Sequence, residues 1–218
     1  SATSHTMNQY KCSGPSFPHF IEVSGYDNLL FREVHCLLGE NGAGKSTLIK
    51  ILTGVEKEDS GEIYFNGEKI HNKDIWQARA KGIGTVFQEN SLVSHLTIAE
   101  NVFLTRELRG RTKFLDSKKM EAETVRRGKE LGIDLNPKTL VKYLSVAEQQ
   151  IVEIVKMFSQ NPKFVILDEP TSSLSGNEIK KLFNIIKTMR EKGVTFIYIS
   201  HRMEEIKEIG NGGTILRD

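Results

Sequence analysis

Gly39, Glu40, Asn41, Gly42, Ala43, Gly44, Lys45, Ser46 and Thr47 fit the spacing G-x-x-x-x-G-K-[ST], a loop whose chemistry is phosphate binding. Glycine allows backbone conformations that a Cβ forbids, so successive N–H groups can close around phosphate oxygens. Lys45 brings a point charge to the β- and γ-phosphates, and Ser46 offers a hydroxyl to Mg²⁺. Further polar residues stand just past apolar runs: Gln88 after 83–87, Asp168 and Glu169 after 164–167, and His201 after 194–199. Asp168 is placed to hold Mg²⁺, directly or through water. Glu169 is placed to orient and deprotonate an attacking water. Gln88 offers an amide to the metal or the water, and His201 a ring nitrogen to a γ-phosphate. Each has a plainer reading: a carboxylate capping a strand end, a solvated glutamine, a structural histidine.

The flanking elements suit these roles. Residues 34–38 are a short apolar run that reads as a buried strand, and residues 47–52 read as a helix whose positive N-terminus faces an anion. Residues 61–67 read as a strand closed by an Asn-Gly turn, and residues 83–87 as another strand. Three S/T-x-x-E capping boxes predict helix starts at Thr97, Ser145 and Ser175, running to about 104, 159 and 191. Residues 117–131 are charged and predicted helical, with Asp116 as N-cap. The continuous apolar runs 164–167 and 194–199 fit parallel strands buried on both faces. Strands alternating with helices around a phosphate loop predict an α/β fold with a central parallel sheet. Ligands in such sheets sit at the carboxyl ends of the strands, where Gln88, Asp168, Glu169 and His201 all fall.

Bulk properties narrow the function classes. The 218 residues suffice for one large domain, and a net charge of +2 among 27% charged residues describes an ordinary surface, not an electrostatic nucleic-acid binder. No run approaches the ~18 apolar residues of a membrane-spanning helix. Cys12 and Cys36 form no disulfide framework and no metal spacing, which fits a reducing cytosol, and Cys36 reads as a small core residue. Residues 1–7 (SATSHTM) lack an apolar segment and read as a cloning remnant rather than a signal peptide.

The phosphate loop, Gln88, residues 144–150 (LSVAEQQ), residues 166–170 (ILDEP) and Ser200-His201 together resemble an ABC-transporter ATP-binding subunit. The likeness is greatest to the first ATPase half of ribose/galactose-type sugar importers, through residues 86–90 (VFQEN), 96–101 (LTIAEN) and 199–206 (ISHRMEEI). It covers roughly residues 33–209. The resemblance implies a single ABC ATPase domain over 8–218: a P-loop NTPase core (about 8–91 and 160–218) with a mostly parallel sheet, and a helical subdomain at about 92–159. It implies ATP and Mg²⁺ as cofactors, Mg²⁺-dependent ATP hydrolysis, and a cytoplasmic location at the inner face of the membrane. A second ATPase domain would pair head to tail, so that Ser145, Val146, Ala147, Glu148 and Gln149 contact the partner's γ-phosphate. A helix N-cap can grip an anion in that way, although Ser145 could also cap only its own helix. Gln88 and the helical insert would touch membrane permease subunits. Neither sugar nor nucleic acid would be bound directly. An aromatic some two dozen residues before the loop would stack on adenine. Phe17 is the candidate, with Tyr26 and Tyr10 as rivals and a plain core aromatic as the alternative.

The chain departs from the family pattern in places. The usual L-S-G-G-Q has Val146 and Ala147 for its glycines and Glu148 for its first glutamine, and Ser175 stands where an aspartate is usual. A strand is hard to discern in residues 19–30, and the glycines of 210–213 are expected to weaken a strand there. The competing functions are a nucleotide-binding regulatory module with little turnover and a non-transport ABC ATPase. A GTPase is disfavoured because the guanine-reading N-K-x-D motif is missing.

Overall fold

The computed structural model describes residues 21–23, 32–40, 42–86, 91–110 and 114–216. In chain order the strands are β1 (Ile21–Val23), β2 (Val34–Gly39), β3 (Ile63–Phe65), β4 (Glu68–Ile70), β5 (Ile83–Val86), β6 (Phe164–Asp168), β7 (Thr195–Ile199) and β8 (Gly212–Leu216). The helices are α1 (Lys45–Leu52), α2 (Ile75–Ala80), α3 (Ile98–Val102), α4 (Ser117–Glu130), α5 (Val146–Phe158), α6 (Gly176–Glu191) and α7 (Met203–Ile209). Five strands form a wholly parallel sheet in the order β5-β6-β7-β2-β8, and β1-β3-β4 form a small antiparallel sheet. The predicted α/β fold with a central parallel sheet is therefore present.

Alternation along the strands builds two cores. In β6, Phe164 and Ile166 face one side and Val165 and Leu167 the other; in β7, Ile197 and Ile199 oppose Phe196 and Tyr198. The first side packs against Ile49 and Leu52 of α1, Ala78 of α2 and the antiparallel sheet, with Phe65 edge-on to Phe164 at 6.4 Å. The second side packs against α3, α4, α5 and α6, and Cys36 lies in this core, fully buried. Burial on both faces explains why 164–167 and 194–199 read as unbroken apolar runs.

The capping signals placed the helices well. Thr97 with Glu100 and Ser145 with Glu148 close reciprocal capping boxes at α3 and α5, Ser175 with Glu178 does so at α6, and Asp116 caps α4. Asn66 and Gly67 turn β3 into β4 with φ of 57° and 77°, the two left-handed residues of a type I′ hairpin.

Two strands form where the sequence signal is weak. A strand does form within 19–30: β1 is only three residues long, too short for a periodic signal, and antiparallel pairing with β3 fixes it. The glycines of 210–213 do not prevent a strand either, since β8 runs Gly212–Leu216 alongside β2. They are there for close approach. A Cβ on Gly210 would lie 2.7 Å from Cys36 Sγ and 2.6 Å from the Ile206 carbonyl oxygen, and one on Gly213 would lie 3.0 Å from the Cys36 carbonyl oxygen.

Candidate functional site

Strand register brings the polar residues to one edge. Asp168 at the end of β6 pairs with Ile199 of β7, which pairs in turn with Leu37 of β2. The phosphate loop leaves β2 two residues beyond that row. Gly39 has φ 152°, and a Cβ there would stand 2.7 Å from the Leu216 carbonyl oxygen of β8, so only glycine lets β2 end so close to its neighbour. Gly42 and Gly44 have φ of 95° and 88° with open space where a Cβ would project, so there the backbone conformation, not crowding, calls for glycine. Gly44 is the N-cap of α1, and Ser46 and Thr47 lie exposed on its first turn. Lys45 Nζ donates to the carbonyls of Gly39 (2.6 Å) and Glu40 (2.8 Å), arching back over the loop.

Glu169 follows Asp168 with φ 45°, a left-handed conformation that costs a non-glycine residue about 1 kcal/mol or more. Its amide donates to the Ile199 carbonyl (3.0 Å), and its Oε1 meets His201 Nε2 at 2.8 Å. The carboxylate and imidazole thus bridge the ends of β6 and β7. Burial pushes the Asp168 carboxyl up from the usual aspartate range and Glu169 adds to the rise, while Lys45 and His201 draw it down. Asp168, Glu169, Lys45 and His201 therefore share one electrostatic environment.

A hard-oxygen donor set of this kind fits Mg²⁺. Asp168 bears a charge that burial disfavours and a cation would stabilise, and Ser46 follows Lys45 on the first turn of α1. Among the described residues no cluster of three or more His, Cys, Asp or Glu forms an all-protein metal site. Mg²⁺ does not require one, since it commonly combines one or two carboxylates with substrate phosphates and water.

Residues 145–149 lie elsewhere, at the start of α5. Glu148 Oε2 accepts from the Ser145 amide and hydroxyl, both at 2.8 Å, and the Glu148 amide donates to Ser145 Oγ at 3.3 Å. These bonds hold the Glu148 carboxyl below the usual glutamate range, the backbone one most strongly. Val146 is exposed, Ala147 is turned into the core, and Gln149 Nε2 donates to the Leu144 carbonyl. On this chain Ser145 caps its own helix, as its plainer reading had it. Asn41, Gln88 and Phe17, with the rival aromatics Tyr10 and Tyr26, lie outside the described residues.

Sequence reasoning overlooked Glu205. It is buried, and its Oε2 accepts hydrogen bonds from the hydroxyls of Thr171 (2.8 Å), Tyr198 (2.8 Å) and Ser200 (2.7 Å). Its position four residues after His201, on the inward face of α7, was the available signal.

A glycine phosphate loop between a parallel strand and a helix, with carboxylates at the neighbouring strand ends, defines a P-loop nucleotide-binding domain. The family model described as "ABC transporter" matches residues 29–172, and the chain belongs to that family. It is 46% identical over 205 residues to the ribose import ATP-binding protein RbsA of Geobacillus kaustophilus, covering 93% of this chain and 42% of that protein. Over 211 residues it is 44% identical to RbsA of Caldanaerobacter subterraneus subsp. tengcongensis, covering 96% of this chain and 42% of the relative. The xylose import ATP-binding protein XylG of Geobacillus kaustophilus is 42% identical over 205 residues, with coverages of 91% and 40%. The chain thus spans about two-fifths of the length of these curated relatives. Among solved structures, the ADP conformation of an ATP-binding cassette of an ABC transporter superposes with a TM-score of 0.77 at 23% identity, covering 91% of this chain and 86% of the other. A dimeric, post-hydrolysis cassette bound to ADP and Pi superposes with a TM-score of 0.71 at 26% identity, with coverages of 87% and 84%.

Proposed function

We propose that this chain is the ATP-hydrolysing domain of a sugar importer, closing head to tail on a second ATPase domain and driving a membrane permease from the cytoplasmic face. The observation that carries this reading is the Glu169–His201 pair, 2.8 Å apart at the end of the sheet from which the phosphate loop departs. The names of the relatives support sugar import, and the dimeric cassette supports pairing.

In this reading the amides of residues 39–47 and the α1 N-terminus bind the β- and γ-phosphates. Lys45 exchanges its two carbonyl partners for phosphate oxygens. Ser46, Asp168 and Gln88 hold Mg²⁺, which when bound would neutralise phosphate charge. Glu169 accepts a proton from the attacking water as its oxygen bonds to the γ-phosphorus and ADP leaves. His201 fixes one oxygen of Glu169 and contacts the γ-phosphate. Ser145, Val146, Ala147, Glu148 and Gln149 meet the partner's γ-phosphate, Ser145 giving up its internal hydrogen bond to do so. Phe17 stacks on adenine. The core (about 8–91 and 160–218) carries the nucleotide, and the helical subdomain (about 92–159) meets the permease with Gln88.

ATP hydrolysis by this chain, with and without Mg²⁺, tests the proposal. Mg²⁺-dependent turnover supports it. ATP binding with no more turnover than Glu169→Gln would favour a regulatory module, a reading suggested by the Glu148 carboxylate folded onto Ser145.

A further inference from the structure

A buried carboxylate is costly to place, and Glu205 is only 5% exposed. Three hydroxyls converge on its Oε2, and Arg202 Nη1 approaches its Oε1 at 3.2 Å. An apolar residue of similar volume would fill the same space without needing four donors, so the carboxylate calls for a reason beyond packing.

Its partners suggest that reason. Thr171 lies two residues after Glu169, Ser200 one residue before His201, and Tyr198 lies on the strand between them and the core. Ser200 Oγ also accepts from the Arg202 amide at 3.0 Å, which fastens the chain on the far side of His201. One side chain on α7 therefore braces both segments that carry the 2.8 Å Glu169–His201 pair. Glu169 holds φ 45°, a conformation that persists only where the surroundings enforce it.

We propose that Glu205 is a positioning residue for the Glu169–His201 pair, locking the carboxylate and the imidazole in the geometry used for ATP hydrolysis. The inference rests on the ATPase reading above. Glu205 acts through Thr171 and Ser200, whose hydroxyls donate to it.

The test is Glu205→Gln, whose amide oxygen still accepts from hydroxyls but is neutral beside Arg202. Turnover is expected to fall about 10-fold, with ATP affinity changed by less than about 2-fold, because misplacing a reacting group costs rate and not binding. In a His201→Ala background, followed in single-turnover assays, Glu205→Gln should cost less than about 2-fold, since the two residues act as a unit. The His201 imidazole ¹⁵N resonances should also move in Glu205→Gln. Ser200→Ala, which removes one hydroxyl and leaves the carboxylate its other donors, should lower turnover about 3-fold and provides a second variant if Glu205→Gln does not fold. Unchanged turnover with unchanged His201 resonances overturns the proposal, and so does an equal loss in both backgrounds. A wild-type chain that does not hydrolyse ATP sinks the ATPase reading instead, and the His201 resonances then decide on Glu205 without it.

Discussion

Asp168 and Glu169 stand at the end of one strand buried on both faces, whereas Ser145 and Glu148 stand at the exposed start of a helix. The first pair is held by the molecule's own sheet: register with β7, the Glu169 amide on the Ile199 carbonyl, and His201 across the strand ends. The second pair is held locally, through a capping box between its two members. One half of the proposed ATP site, the phosphate loop with Asp168, Glu169 and His201, is therefore assembled by the fold of a single chain. The other half, in the proposed dimer, is a helix terminus that here caps itself.

Titration sharpens the contrast, because the two regions move carboxyl groups in opposite directions. Burial raises Asp168, while hydrogen bonds from Ser145 lower Glu148. The sheet end carries charge that a ligand must stabilise, and the helix start carries charge already stabilised.

The largest effect expected is on Glu169. Glu169→Gln should cut ATP turnover at least ~100-fold while leaving ATP bound, as loss of a general base does; a phosphate-release assay beside a binding titration checks both. Lys45→Ala should weaken ATP binding by about 10- to 100-fold, the worth of a charge-assisted hydrogen bond, as read by titration with a fluorescent ATP analogue. Gly39→Ala places a Cβ against the Leu216 carbonyl at an unfavourable φ and should lower stability by about 1–3 kcal/mol in urea unfolding. Ser145→Ala should cost about 1 kcal/mol of stability through the lost α5 cap. If turnover at saturating protein and ATP also falls, Ser145 does more than cap, and unchanged turnover would leave it a cap alone.

The smallest effects test the titrations. A raised native pKa means that ionised Asp168 opposes folding, a penalty present above the native pKa and relieved as pH falls through it. Asp168→Asn should therefore raise Tm at pH 7 even as it abolishes Mg²⁺-dependent turnover. Glu148 is the reverse: its lowered native pKa gives stability present in full above the unfolded value of about 4.3 and lost as pH falls through the native one. Glu148→Gln should lower stability at pH 7 by at most about 0.5 kcal/mol, given its exposure, and the difference should vanish in acid. Thermal scans across pH check both.

The sequence exposed whatever depends on local chemistry. The glycine spacing of the phosphate loop, the three capping boxes and the Asn66-Gly67 turn each act over a few residues, and each was legible. The doubly buried strands were legible because burial on both faces leaves an unbroken apolar run. What stayed hidden depends on partners distant in the chain. The β8 glycines look like strand breakers until Cys36 and Ile206 are seen pressing on them. Three-residue β1 exists only through its pairing with β3. Glu205 reads as one more glutamate of a charged helix, since its donors come from the loop after β6 and from the end of β7.

In the proposed dimer, catalysis needs the sheet end of one chain and the helix start of another. The most direct test is Mg²⁺-ATP hydrolysis measured against protein concentration. The expected result is a rate that climbs faster than linearly with protein concentration at first, as two half-sites meet. A rate strictly proportional to concentration, from a chain shown to be monomeric under the assay conditions, would contradict it.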